Sequence, residues 1–166
     1  MNCAKCKTEN RPSANYCDEC GSKLSTSVDT DHNLADKRGP LEGIKVLDWT
    51  MWQFGPVSTL MLGDLGADVI KVESLDGDHG CQFRRVSGAS SQLPGELNAY
   101  FKSLNRQKRS IALDLKNPRR VEILYRLVAK SDVFVQNFRK GVAERLRLGY
   151  EDLIKHNPKI VYGAAT

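Results

Sequence analysis

From Gly39 onward, apolar residues recur along the chain in two periods. Short runs rich in β-branched residues, IKVLD (44–48), DVIKVE (68–73), SIALDL (110–115), DVFVQN (132–137) and KIVYGA (159–164), read as strands. Between the first two lies GPVSTLMLGDLG, a stretch of helical length with Pro56 in its first turn and Gly66 at its C-terminal stop. Asn117 and Pro118 open a second helix, in which Val121, Leu124 and Val128 share one face, Ile123 and Leu127 widen it, and Glu122 stands four residues before Arg126. Shorter helices are expected around 142–146 and 150–155, and the stretch from 74 to about 97 has no regular period. Strands separated by helices imply a parallel sheet covered on both faces, with right-handed crossovers. The predicted fold class is therefore α/β, a Rossmann-like parallel sheet. In such sheets ligands gather beyond the carboxyl ends of the strands, which here carry DWTMWQFGP, VESLDGD, DLKNP and QNFRKG.

Residues 1–24 follow a different logic. Cys3, Cys6, Cys17 and Cys20 form two CxxC knuckles with ten residues between them, the spacing of a tetrahedral Zn–S₄ site. A segment this short, with few large apolar groups, has no core to fold on, so a structural zinc supplies the folding energy. Four sulfur ligands leave no open position for catalysis. Residues 25–38 are polar and read as a linker. The expected organisation is a zinc ribbon at 1–24, a linker at 25–38 and an α/β body from 39 to 166. The fifth cysteine, Cys81, stands alone and reads as a spare thiol.

Composition narrows the function classes. A chain of 166 residues with 40% hydrophobic and 27% charged residues buries one modest core and at most a small satellite. Lys plus Arg at 25 against Asp plus Glu at 20 gives +5. A zinc with four thiolates would bring this to about +3, so the charge makes a weak case for a polyanion. The body also lacks the aromatic interleaving of single-strand binders, and nucleic acid is not the expected partner. No run approaches the roughly 18 apolar residues of a membrane span. The N-terminal residues lack a basic leader followed by an apolar stretch. With paired CxxC motifs read as metal ligands rather than disulfides, a cytoplasmic location is expected. Basic residues do collect at strand ends: Arg106, Lys108 and Arg109 before the third strand, Lys116, Arg119 and Arg120 after it, Arg139 and Lys140 after the fourth. They suit phosphates or solvated faces equally, since no GxGxxG or P-loop pattern accompanies them.

Five blocks, LEGIKVLDWTMWQFGP, MLGDLGADVIKVE, YFKSLNRQKRSIALDLKNP, SDVFVQNFRKGVAERLRLGY and LIKHNPKIVYGA, resemble in order and spacing the family III CoA-transferases, a group that includes formyl-CoA transferase, carnitine CoA-transferase and α-methylacyl-CoA racemase. The resemblance covers about residues 40–166, and residues 1–24 separately resemble short zinc ribbons. It implies a CoA site at Leu113, Lys116, Asn137, Phe138 and Arg145, with Gln53 beside the thioester. Lys116 and Arg145 would meet phosphates as charged donors, and Leu113 and Phe138 would offer apolar contact. Gln53, before Gly55 and Pro56, would orient a carbonyl or donate to developing negative charge. The racemase-type relatives carry a small apolar residue there, which favours transferase over racemase. The chain departs from the pattern at Trp52, Phe54 and Lys140.

The resemblance also implies a reaction: CoA moves from an acyl-CoA thioester to a carboxylic acid through an acyl-aspartate intermediate. The aspartate nucleophile follows a glycine-rich segment beyond the strand matching KIVYGA, past the last residue of the sequence. Asp48, Asp64, Asp68, Asp114 and Asp132 match other positions. The expectation is the N-terminal, CoA-binding part of an enzyme that forms interlocked homodimers when complete. The alternatives are an acyl-CoA racemase-type relative, or a zinc-ribbon module without chemistry that binds nucleic acid or protein.

Overall fold

The computed structural model describes residues 6–9, 19–20, 39–82, 85–86, 88–94 and 97–165. The chain divides into two compact units, Met1–Lys37 and Arg38–Thr166. In the first, Cys6 and Cys20 are described, with the Cys6 thiol 3.3 Å from Thr8 Oγ1. Cys3 and Cys17, and with them the zinc-ribbon and linker assignments, lie outside the described residues. Among those that are described, no group of three or more metal-ligating side chains converges.

The second unit is built on a five-stranded sheet in which every strand pair is parallel. Its strands are β1 (Lys45–Trp49), β2 (Asp68–Glu73), β7 (Arg109–Ala112), β8 (Val133–Gln136) and β9 (Val161–Ala164), in the spatial order β7-β2-β1-β8-β9. The order reverses between β1 and β8, which makes the crevice above those two strands the topological switch point. Two short hairpins, β3 (Arg85–Val86) with β4 (Ala89–Ser90) and β5 (Gln92–Leu93) with β6 (Leu97–Asn98), follow a 3₁₀ turn at His79–Gln82 and fill the aperiodic stretch.

The helices are α1 (Phe54–Asp64), α2 (Ala99–Asn105), α3 (Pro118–Val128), α4 (Val142–Arg145) and α5 (Tyr150–Leu153). Asn117 caps α3 by accepting from Arg119 N at 3.0 Å, the interaction that Asn-Pro at a helix start predicts. Val121, Leu124 and Val128 are its buried face, as their spacing requires. They pack with Leu47, Val72 and Phe134 into the main core. On the other side of the sheet, Val46, Val69 and Ala67 form a smaller cluster with Leu62. Gly66, at φ +102, ends the α1 region in a conformation that disfavours side chains.

Two details differ from the sequence pattern. The run read as 110–115 is a strand only to Ala112, because Asp114 starts a turn: its carbonyl accepts Asn117 N at 3.0 Å and its Oδ1 accepts Lys116 N at 3.1 Å. Helix α2 was not foreseen at all. It buries no residue completely, so it has no apolar stripe to read.

Candidate functional site

Beyond the carboxyl ends of β1, β2, β7 and β8 lies a cavity of about 380 Å³. Its apolar lining includes Trp49, Val72, Leu113, Phe138, Val142 and Leu146. The Phe138 and Trp49 rings pack at a tilt of 32° with centroids 4.2 Å apart. Leu113 is buried one residue past β7, where it extends the ladder with β2: Leu113 N donates to Glu73 O at 2.8 Å. Four carboxylates, Glu73, Asp76, Asp78 and Asp114, line it too, along with Thr50, Ser74 and Lys116. Burial is the largest influence on Glu73 and raises its carboxyl above the usual range, against the pull of Lys71.

Lys116 stands at a seam. It lines this cavity and a second one of about 370 Å³, whose wall includes Tyr125, Arg145 and Arg147. Lys116 and Arg145, 29 residues apart in sequence, are thus brought to one continuous surface, both exposed. Arg145 lies over Gly141, with Nη1 only 3.4 Å from where a Cβ would stand; Gly141 also has φ +84, so the turn after Lys140 depends on this glycine. Four of the five expected coenzyme contacts, Leu113, Lys116, Phe138 and Arg145, therefore flank the paired cavities.

Asn137 is placed differently. Its carboxamide clasps the main chain of Met51, accepting from Met51 N at 2.9 Å and donating to Met51 O at 2.8 Å across the switch point. Gln53 is exposed and stands at the N-cap of α1, but its side chain makes no capping bond. It follows Thr50 and Met51, which line the larger cavity, and Trp52, whose φ is +71.

The basic residues before β7 do not reach this surface. They belong to the opposite end of a parallel strand, and each is committed elsewhere. Arg109 forms a forked pair with Asp68, and Arg106 meets Asp64 at 2.5 Å. Lys108 is buried, donating to Asp48 Oδ2, Pro56 O, Thr59 Oγ1 and Asn105 Oδ1 at 2.8–3.0 Å. Desolvation lowers its pKa even though Asp48 pulls it back up. Beside it, Lys71 pairs with Asp78 at 2.9 Å, each side chain 1% exposed. Asp48, with no exposed surface, is held by Lys108, Thr50 and Thr59, a bound carboxylate and not a nucleophile. Of this quartet only Lys108 was a candidate from the sequence, among the basic residues suited to phosphates or solvent, and it meets neither; a lysine inside DVIKVE carries no mark of burial. Cys81 is exposed, and partial burial with nearby Asp78 and Glu73 raises its thiol pKa, the opposite of activation.

Fold and cavity together define an α/β domain with a partly apolar cavity at the carboxyl ends of its strands, bordered by carboxylates and by Lys116. The family model for CoA-transferase family III matches residues 41–166, and the chain belongs to that family. It is 41% identical over 131 residues to the Succinyl-CoA:glutarate CoA-transferase of Mus musculus, covering 79% of this chain and 29% of that one. It is 43% identical over 124 residues to the Formyl-CoA:oxalate CoA-transferase of Streptomyces coelicolor, covering 75% and 29%. Among solved structures, Rv3272 from M. tuberculosis superposes with a TM-score of 0.67 at 39% identity, over 76% of this chain and 34% of that one. A CAIB/BAIF family protein from Brucella suis gives 0.66 at 39%, over 77% and 33%. The chain thus spans under a third of the length of the curated relatives named here. Among the described residues, no helix is long and apolar enough to cross a membrane.

Proposed function

We propose that this chain is the CoA-binding part of a CoA-transferase that moves CoA between an acyl-CoA thioester and a carboxylic acid, with the acyl-aspartate chemistry completed by residues outside the sequence. The observation that carries the reading is the pairing of cavities. An apolar slot floored by Leu113 and Phe138 suits the pantetheine or adenine of the coenzyme, and Lys116 and Arg145 at the seam suit its phosphates. Gln53, whose side chain is not used in capping, is the donor for a thioester carbonyl. Its polarity favours transfer over racemisation. The complete enzyme is a homodimer in this reading.

Calorimetric titration of CoA into the chain tests the site. Lys116→Ala and Arg145→Ala should each weaken binding by about 1–3 kcal/mol, the scale of a lost charged hydrogen bond. Tight binding indifferent to both changes would remove the assignment. Single-stranded DNA titrated at two salt concentrations should show no comparable affinity, and the reverse result would favour the nucleic-acid module.

The donor set of Cys3, Cys6, Cys17 and Cys20 fits a structural zinc by its chemistry: four thiolates with CxxC spacing saturate a tetrahedral ion. Elemental analysis should find one zinc per chain, lost when Cys17 is replaced by serine. Well under one equivalent in the unaltered protein would exclude it.

A further inference from the structure

The turn at residues 50–53 is held by side chains rather than by secondary structure. Thr50 N donates to Asp48 Oδ1 at 3.1 Å, and Thr50 O accepts from Lys71 Nζ at 2.8 Å. Met51 N and Met51 O are both taken by Asn137, and Trp52 N donates to Asp78 Oδ1 at 3.4 Å. Five consecutive backbone groups are thus bonded to side chains from β1, from β2, from the loop after β2 and from the loop after β8. Asp78 is itself fixed from two sides, by Lys71 on Oδ2 and by Gly80 N on Oδ1 at 2.8 Å.

This much anchoring needs a reason, because the turn is unfavourable by itself. Trp52 occupies the left-handed region at φ +71, where a bulky side chain is strained. The start of α1 is also drawn in so closely that a Cβ on Gly55 would stand 2.5 Å from Thr50 Cβ and 3.0 Å from Asn137 Cγ. Strain of this kind persists only where the surroundings over-determine it. What the strained turn delivers is Gln53, exposed at the N-cap of α1, two residues past Met51, which with Thr50 lines the larger cavity.

We propose that Lys71, Asp78 and Asn137 are positioning residues, which lock the turn at residues 50–53 so that the Gln53 carboxamide is held ready as a donor to a thioester carbonyl before substrate arrives. This rests on the reading of the cavities as a CoA site. The anchors act on backbone atoms, and the Trp52 ring adds a stacked contact with His79 at 5.9 Å between centroids. Lys71 itself does not line the cavity and reaches it through the turn and through Asp78, which does. A donor fixed in advance pays no reorganisation when charge develops on the carbonyl oxygen, which is the source of electrostatic stabilisation in acyl transfer.

The test follows the carbonyl resonance of acetyl-CoA labelled with ¹³C at the thioester carbon, bound to the 166-residue chain. The expected result is a bound shift that is lost in Gln53→Ala and largely lost in Lys71→Met, while calorimetry finds CoA without its acyl group bound by Lys71→Met to within about threefold of the unaltered chain. A merely structural role would weaken CoA and acetyl-CoA alike and leave the resonance of the bound fraction in place; that result overturns the proposal. If CoA binds the unaltered chain but the carbonyl does not shift, the cavity reading stands and the positioning role falls. If CoA does not bind at all, the cavity reading falls and takes the proposal with it. Should Lys71→Met fail to fold, Asn137→Ala decides through amide exchange. Met51 and Trp52 should exchange about tenfold faster or more, with Leu47 in β1 unchanged. Turn amides that already exchange like an open loop in the unaltered chain would overturn the proposal.

Discussion

The two faces of the central sheet are made by the same strands and differ in how they achieve burial. On the face toward α3, alternate residues Leu47, Trp49, Val72 and Phe134 meet Val121, Leu124 and Val128, and apolar contact runs to the carboxyl end, where it becomes the floor of the cavity. On the face toward α1, Val46 and Val69 begin the same way. One pleat further along the same strands stand Asp48 and Lys71, opposite each other in the β1–β2 register. There the core turns ionic: Lys108 with Asp48 and Lys71 with Asp78, two cations against two anions, nearly all removed from water. One face makes a place for a ligand, and the other holds the turn that borders that place.

The faces should respond differently to truncation. Lys108→Met removes one member of a buried pair and leaves the Asp48 carboxylate uncompensated, a loss of about 3–5 kcal/mol. Adding Asp48→Leu should recover part of that loss, because two matched apolar groups cost less than one orphaned charge. Recovery will be incomplete, since Asp48 also holds Thr50 and Thr59. On the opposite face, Val128→Ala should cost about 1.5–3 kcal/mol, and a second truncation there, Leu124→Ala, should only add to the loss. Urea denaturation of the single and double variants makes the comparison. Loss that accumulates in the same way on both faces would show that the quartet behaves as ordinary packing.

This contrast also explains what was legible in the sequence. Strand and helix positions on the α3 face follow from local period alone: DVIKVE is a strand at its expected bounds, and Val121, Leu124 and Val128 are buried as their spacing requires. Lys116 was named from its place at a strand end, whereas Leu113, Phe138 and Arg145 entered as expected contacts only through resemblance, since nothing local joins residues about thirty positions apart. The ionic face was not legible. Lys108 sits among Arg106 and Arg109, which look the same in sequence and pair at the surface, and only the distant Asp48 and Thr59 make it a buried cation. Asn98 was the one local sign of α2, its Oδ1 accepting from Phe101 N at 2.9 Å as an N-cap.

The smallest expected effect lies where the two faces meet. Glu73 ends β2 in the cavity wall, within the field of the ionic cluster. Burial is the first cause that raises its carboxyl above 4.5; Asp78 and Asp48 push the same way, while Lys71 and the Asp78 main chain oppose them. The folded protein therefore holds this proton more tightly than the unfolded chain does. Its contribution to stability is full below about pH 4.5 and declines as pH rises through the folded-state value. Glu73→Gln keeps a carbonyl to accept from the Asp78 main chain and removes the charge that burial penalises. The variant should match the unaltered chain near pH 4 and be more stable at pH 7. The gain should be about half a kcal/mol, well under the ~1.4 kcal/mol per pKa unit of an unscreened group, because the side chain is only half-buried. Denaturation midpoints at the two pH values read the difference. A gap that did not change with pH would mean that Glu73 is no more protonated in the fold than in the unfolded chain, and that the ionic face does not extend its influence into the cavity.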